Sequence, residues 1–115
     1  MNTGKLIRIG SITRSDGRTL VVALDHGMIG ITKGIEDIED VVRKVTEGGA
    51  DAVLVNLGIA GRIAEYIRGK IGLVLTIPFD ARYVILAVKL GADAVKTTYF
   101  GEVPLSEDRM RQVSE

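Results

Sequence analysis

The pentapeptide Gly49-Ala50-Asp51-Ala52-Val53 recurs, 42 residues along, as Gly91-Ala92-Asp93-Ala94-Val95. In each copy a glycine stops a helical pattern and an apolar run begins at once. That offset is the length of two strand–helix units, the period of an architecture built by alternating them. Shared ancestry of the two copies and shared helix-to-strand loop chemistry are both open, and either gives the same architecture. Strands joined through helices run parallel, because the crossover returns each strand to the same end of the sheet.

The rest of the chain fits this alternation. Residues 19–25 (Thr-Leu-Val-Val-Ala-Leu-Asp) form an apolar run between the turn signals Asp16-Gly17 and Gly27, which predicts a strand; its near-continuous hydrophobicity suits a sheet covered on both faces. Ile35, Ile38, Val41, Val42 and Val45 recur at helical spacing, with acidic residues at the start of the segment, Arg43 and Lys44 near its end, and Gly48-Gly49 as the stop. Residues 52–56 predict the second strand, and residues 61–68 a short helix with Ile63, Ala64 and Ile67 on its inner side. Residues 72–77 predict the third strand, closed by Pro78. Asp80 is placed to cap a helix carrying Val84, Ile85, Val88 and Leu90 inward. Residues 92–99 predict the fourth strand, and Pro104 and Ser106 open a last helix with Met110 and Val113 on its apolar face.

The expected order is therefore β-α-β-α-β-α-β-α, an α/β fold of four βα units in a single domain over residues 1–115. Four such units are half of a (β/α)₈ barrel, which takes about 250 residues. Four parallel strands alone leave two open edges. Such a chain is expected to associate, to be part of something longer, or to fold as a small open sandwich.

Composition narrows the function. Fifteen Lys+Arg balance fifteen Asp+Glu, so there is no electrostatic reason to seek nucleic acid or an anionic membrane. The absence of cysteine excludes disulfides, thiolate metal sites and cysteine nucleophiles. Residues 1–10 carry no signal-peptide apolar core, and no apolar run nears the ~20 residues that span a bilayer. A cytoplasmic location is expected.

Ligands of parallel α/β folds bind where the strands finish, and the candidate residues stand at or near those ends. Asp25 closes the first strand; if Val21 and Ala23 share its face, its carboxylate points inward, where it is costly unless paired or used. The alternative is that Asp25 only starts a turn. His26 is the sole histidine; alone it cannot build a metal site, and it reads as a hydrogen-bonding or substrate contact or as a structural histidine. Lys96 lies within the fourth strand. Desolvating an amine frees the neutral, nucleophilic form that Schiff-base chemistry on a ketone requires. A simple cation at the mouth, or an exposed edge lysine, is the alternative. Asn56, Thr98 and Tyr99 end strands two and four, where they could hydrogen-bond a polyol. No phosphate-cradling Gly-x-x-x-x-Gly-Lys and no Gly-x-Gly-x-x-Gly is present.

Together, Gly4-Lys5-Leu6-Ile7-Arg8, Val21-Val22-Ala23-Leu24-Asp25-His26-Gly27, Lys33-Gly34-Ile35-Glu36-Asp37-Ile38 and Glu47-Gly48-Gly49-Ala50-Asp51-Ala52-Val53-Leu54 resemble the class I aldolases that comprise the archaeal-type fructose-bisphosphate aldolases and the 2-amino-3,7-dideoxy-D-threo-hept-6-ulosonate synthases. The resemblance covers nearly all of this chain but about the first half of that family's TIM barrel. It implies aldol cleavage or condensation of a phosphorylated keto sugar through an imine, with no metal and no cofactor. It implies that Asp25 transfers protons and that His26, Gly27, Met28 and Tyr99 bind substrate. Lys96, in Ala94-Val95-Lys96-Thr97-Thr98-Tyr99-Phe100-Gly101, resembles the family's imine-forming strand locally. By count its strand is the fourth, whereas the family's reactive lysine lies two units later. Either two units are missing before it, or the likeness is local. The family's strand-five tyrosine has no counterpart unless Tyr99 substitutes, and the phosphate loops after strands seven and eight have no sequence here. The resemblance implies a homo-oligomer or a missing C-terminal half-barrel as partner.

Overall fold

In a computed structural model the described residues are 2–25 and 37–98. Helix α1 (Thr3–Ile12) is followed by strand β1 (Val21–Ala23), helix α2 (Ile38–Glu47), strand β2 (Ala52–Asn56), a 3₁₀ turn (Leu57–Ile59), helix α3 (Ala60–Ile67), strand β3 (Gly72–Thr76), helix α4 (Ala81–Lys89) and strand β4 (Ala94–Lys96). The four strands form one sheet in the order β1-β2-β3-β4, and every pairing is parallel. Strand, helix and next neighbouring strand repeat without a jump. This is an α/β fold with the architecture of half a TIM barrel.

Both copies of the pentapeptide make the same joint. After α2, Gly49 takes φ +99 and donates to Thr46 O, while Ala50 N donates to Val45 O. After α4, Gly91 takes φ +88 and donates to Val88 O, while Ala92 N donates to Ala87 O. Each is a complete Schellman ending, which needs a left-handed residue at that position. The aspartate that follows then grips a neighbouring strand through a reciprocal pair. Asp51 N donates to Leu20 O and its Oδ2 accepts from Leu20 N (2.9 and 2.6 Å). Asp93 N donates to Leu73 O and its Oδ2 accepts from Leu73 N (2.8 and 2.9 Å).

The core lies between one face of the sheet and the helices. Val53, Val55, Leu73, Leu75 and Ile77 from the sheet pack with Val42, Ile63, Ile67 and Ala87, joined by half-buried Val22 and Val95. Burying each large side chain contributes roughly 1.5–3 kcal/mol relative to exposure. The opposite face carries Ala23, Leu54, Val74 and Ala94 and, at the carboxyl end, Asn56, Thr76 and Lys96. At its amino end α1 rests on β3, with Ile12 and the Ser11 carbonyl against Gly72.

Four expectations are corrected. The segment before β1 is helical. Asn2 caps α1 by accepting from Lys5 N, Thr19 Oγ1 bonds Ile12 O, and none of the helix residues is buried, so no apolar stripe announces it. Strand β1 is an outer strand with Leu20 and Val21 exposed, not one covered on both faces. In α3, Ile63 and Ile67 face inward with Ala60, and Ala64 is exposed. In α4, Asp80 does cap, accepting from Arg82 N, but Ile85, Val88 and Leu90 are exposed. Ala87 sits at the contact, flanked by Tyr83 and Val84. The helix expected from Pro104 lies outside the described residues. Among the described residues no helix is long and apolar enough to cross a membrane.

A candidate active site at the carboxyl ends of the strands

The register brings one residue from the end of each strand into a single row. Asn56 pairs with Thr76, and Thr76 with Lys96. Leu24 N donates to Leu54 O, extending β1 along β2, so that Asp25 continues the row beside Asn56. Partners across a parallel sheet share a face, so Asn56, Thr76 and Lys96 stand on the face away from the core.

Asp25 gathers the row. Its Oδ2 accepts from Thr76 Oγ1 at 2.9 Å and from Lys96 Nζ at 3.0 Å. In a flat sheet β1 and β4 would lie about 14 Å apart, three strand spacings, with parallel side chains that never meet. The ion pair therefore requires a sheet curled toward this face, as in a barrel wall. The side chain of Asp25 is 13% exposed and that of Lys96 46%. Asp25 thus points inward, as the strand alternation predicts, and is not a solvated turn residue. Burial pushes its carboxyl up, but hydrogen bonds from Lys96 and Thr76 and the Lys96 charge outweigh that and hold it below the usual carboxylate value.

Thr76 is the residue that sequence reasoning missed. It is 5% exposed, and its hydroxyl has one visible task, orienting the carboxylate. The only signal for it was its place at the end of a strand beside Lys96. Asn56 stands in the row with its Oδ1 buried and without a hydrogen-bond partner among the described residues; the Thr97 hydroxyl, just beyond β4, is in the same condition. Thr98 is exposed. His26, Gly27, Met28 and Tyr99 lie outside the described residues.

A carboxylate and a primary amine in contact, in a concave face at the strand ends, can exchange a proton and can flank a carbonyl group. Comparison with known proteins gives the family. The model of the DeoC/LacD family aldolases matches residues 19–115. A 2-amino-3,7-dideoxy-D-threo-hept-6-ulosonate synthase of Halobacterium salinarum is 44% identical over 63 residues, covering 54% of this chain and 23% of that protein. A synthase of the same name from Archaeoglobus fulgidus is 36% identical over 104 residues, covering 80% of this chain and 39% of that protein. An uncharacterized aldolase of Saccharolobus solfataricus is 55% identical over 57 residues, covering 47% and 21%. The chain thus spans between about a fifth and two fifths of the length of these three relatives. The family match over residues 19–115 and the parallel α/β fold agree: the chain belongs to the DeoC/LacD aldolase family.

Proposed function

We propose that this chain carries Schiff-base aldolase chemistry on phosphorylated keto sugars, of the fructose-bisphosphate aldolase or aminodideoxyheptulosonate synthase type. The observation that carries the reading is the contact of Lys96 Nζ with Asp25 Oδ2 at the strand ends (3.0 Å). Lys96 passes a proton to Asp25, its free amine attacks the ketone carbon, and Asp25 returns that proton to the resulting hydroxyl, which leaves as water to give an iminium ion facing the Asp25 carboxylate. Asp25 takes the proton from the hydroxyl two carbons from the imine carbon. The bond between that hydroxyl-bearing carbon and the carbon next to the imine carbon then breaks, its electrons pass to the iminium nitrogen as an enamine, and an aldehyde departs. Reprotonation of the enamine carbon and hydrolysis release the second product and the free amine. Condensation runs the same steps backward. A carboxyl held below its usual value is ionised at neutral pH, as the base role requires.

The proposed partners are a keto-sugar phosphate and either a second copy of the chain or a C-terminal half-barrel; nucleic acid and membrane are not among them. The proposed compartment is the cytoplasm. A second reading, a catalytically inactive half-barrel that self-associates, is favoured by the outer strands β1 and β4 and by exposed Leu6, Ile7, Leu20, Ile85 and Val88.

Borohydride trapping with dihydroxyacetone phosphate tests both. A reduced adduct mapped to Lys96 supports the aldolase reading. An adduct formed only when the missing half-barrel is supplied supports the inactive-fragment reading. No Lys96 adduct in either case overturns the aldolase assignment.

A further inference from the structure

We propose that Asn56 recognises a hydroxyl group adjacent to the carbonyl of the ketone bound at Lys96, an inference that rests on the imine reading above for its substrate class. Asn56 ends β2, and its register partner Thr76 is in turn the partner of Lys96. Its side chain therefore leaves the sheet on the side that carries the carboxylate–amine pair. Oδ1 is shut off from solvent and receives no hydrogen bond among the described residues. Buried amide oxygens are rarely left in that condition.

The ordinary structural task of this residue type is also unfilled. Asn56 occupies the N-cap position of the 3₁₀ turn Leu57–Ile59, where an asparagine commonly accepts a backbone N–H. Here it makes no side-chain cap bond. With Oδ1 neither capping nor paired among the described residues, Asn56 keeps an acceptor for whatever fills the concave face. Asp25 and Lys96 serve the reacting hydroxyl and the carbonyl. What an amide one step along the row can add is a hydrogen bond to a hydroxyl on the carbon next to that carbonyl, which distinguishes a keto sugar from a plain ketone.

The test compares dihydroxyacetone with acetone in borohydride trapping on the full chain, each rate divided by that of a free lysine derivative. The unsubstituted chain is expected to favour dihydroxyacetone. Asn56→Leu, of similar volume and without polar atoms, should lower that preference roughly five- to tenfold, the worth of one neutral hydrogen bond, because dihydroxyacetone labelling of Lys96 falls by that much more than acetone labelling. Asn56→Ser, which keeps an acceptor, should recover part of it. A preference that survives Asn56→Leu, or labelling by both ketones that falls together, overturns the proposal. A second measurement separates it from the imine reading. Glycerol and 2-propanol have no carbonyl and differ by the two outer hydroxyls. A shift of the Asn56 side-chain amide resonances with glycerol and not with 2-propanol supports the assignment even where no ketone labels Lys96. Equal or absent shifts overturn it even where imine trapping succeeds.

Discussion

Lys96 Nζ lies 3.0 Å from Asp25 Oδ2 although the two residues end the two outer strands of the sheet. The contact crosses the concave face and skips both inner strands, so it reports the curl of the whole sheet as well as the state of two side chains. Because the lysine is nearly half exposed, its worth to stability is that of a screened pair, about 0–1 kcal/mol. In the proposed reaction it joins nucleophile and base.

Asp25→Asn removes the proposed base and the counter-charge to Lys96 while keeping size and hydrogen-bonding capacity. Any aldol turnover should fall by about 10²–10⁴, the usual worth of a positioned acid or base, with a melting curve close to that of the parent. Steady-state rates and a thermal scan on the same sample check this. A surviving rate removes Asp25 from the mechanism.

Thr76→Val deletes a hydrogen bond to the charged form of Asp25 and keeps the shape of the residue. The Asp25 carboxyl should then titrate at higher pH, and Thr76→Ser should return it toward the parent. Carbon-13 shifts of that carboxyl followed through an acid titration decide the matter. A purely structural threonine would lower stability without moving the titration.

Acid should weaken the fold through carboxylates that are held low. Hydrogen bonds from Arg14 hold Asp51 below its usual value, overcoming burial, with help from Leu20 N and the Arg14 charge. Asp25 is lowered as well. In each case the unfolded chain binds the proton more readily. The stabilisation is therefore complete above the unfolded value of about 3.9 and is lost as pH falls through the folded values. Urea midpoints measured from pH 6 to pH 2 should drop most steeply below pH 4, and Asp51→Asn should flatten that slope.

Gly72→Ala should cost about 1–3 kcal/mol, because a Cβ there meets the Ile12 side chain and the Ser11 carbonyl, 2.9 Å away. Gly58→Ala, which opens onto free space, serves as the control. Faster hydrogen exchange confined to α1 in the Gly72 variant would locate the damage at this seat.

The face of α4 gives an independent check. Ile85 is 59% exposed, so Ile85→Ala should change stability by no more than about 0.5 kcal/mol. Ala87 is fully buried, and Ala87→Leu should cost about 1–3 kcal/mol through overpacking. Equal effects would contradict the orientation of the helix.

How far these features were legible in the sequence varies by element. Strand β2 was readable to the residue, since a glycine stop and a β-branched run bracket it. The stop of α2 and the cap of α4 followed from Gly48 and Asp80, whose preferences are local; that Asp37 caps α2 was not read, since Ile35 was counted in the helical pattern. The inner face of α4 was not readable: residues 83–88 are all apolar or aromatic, so periodicity names no side, and packing chose the smallest one. Helix α1 escaped because what holds it, Thr19 and the hollow at Gly72, comes from elsewhere in the chain. Asp25 and Lys96 were separately visible as chemically costly residues at strand ends. Their meeting depends on curvature, which no local pattern encodes, and Thr76 became significant only once Asp25 leaned on it.

The two aspartate joints make strand alignment a local decision. Each fastens one strand start to its neighbour at the amino end of the ladder, so a slip by one residue would break both bonds of the reciprocal pair at once. Insertions are best tolerated at the opposite rim, where turns can lengthen without disturbing these clamps, and variation in the reaction performed can accumulate there while the floor stays unchanged.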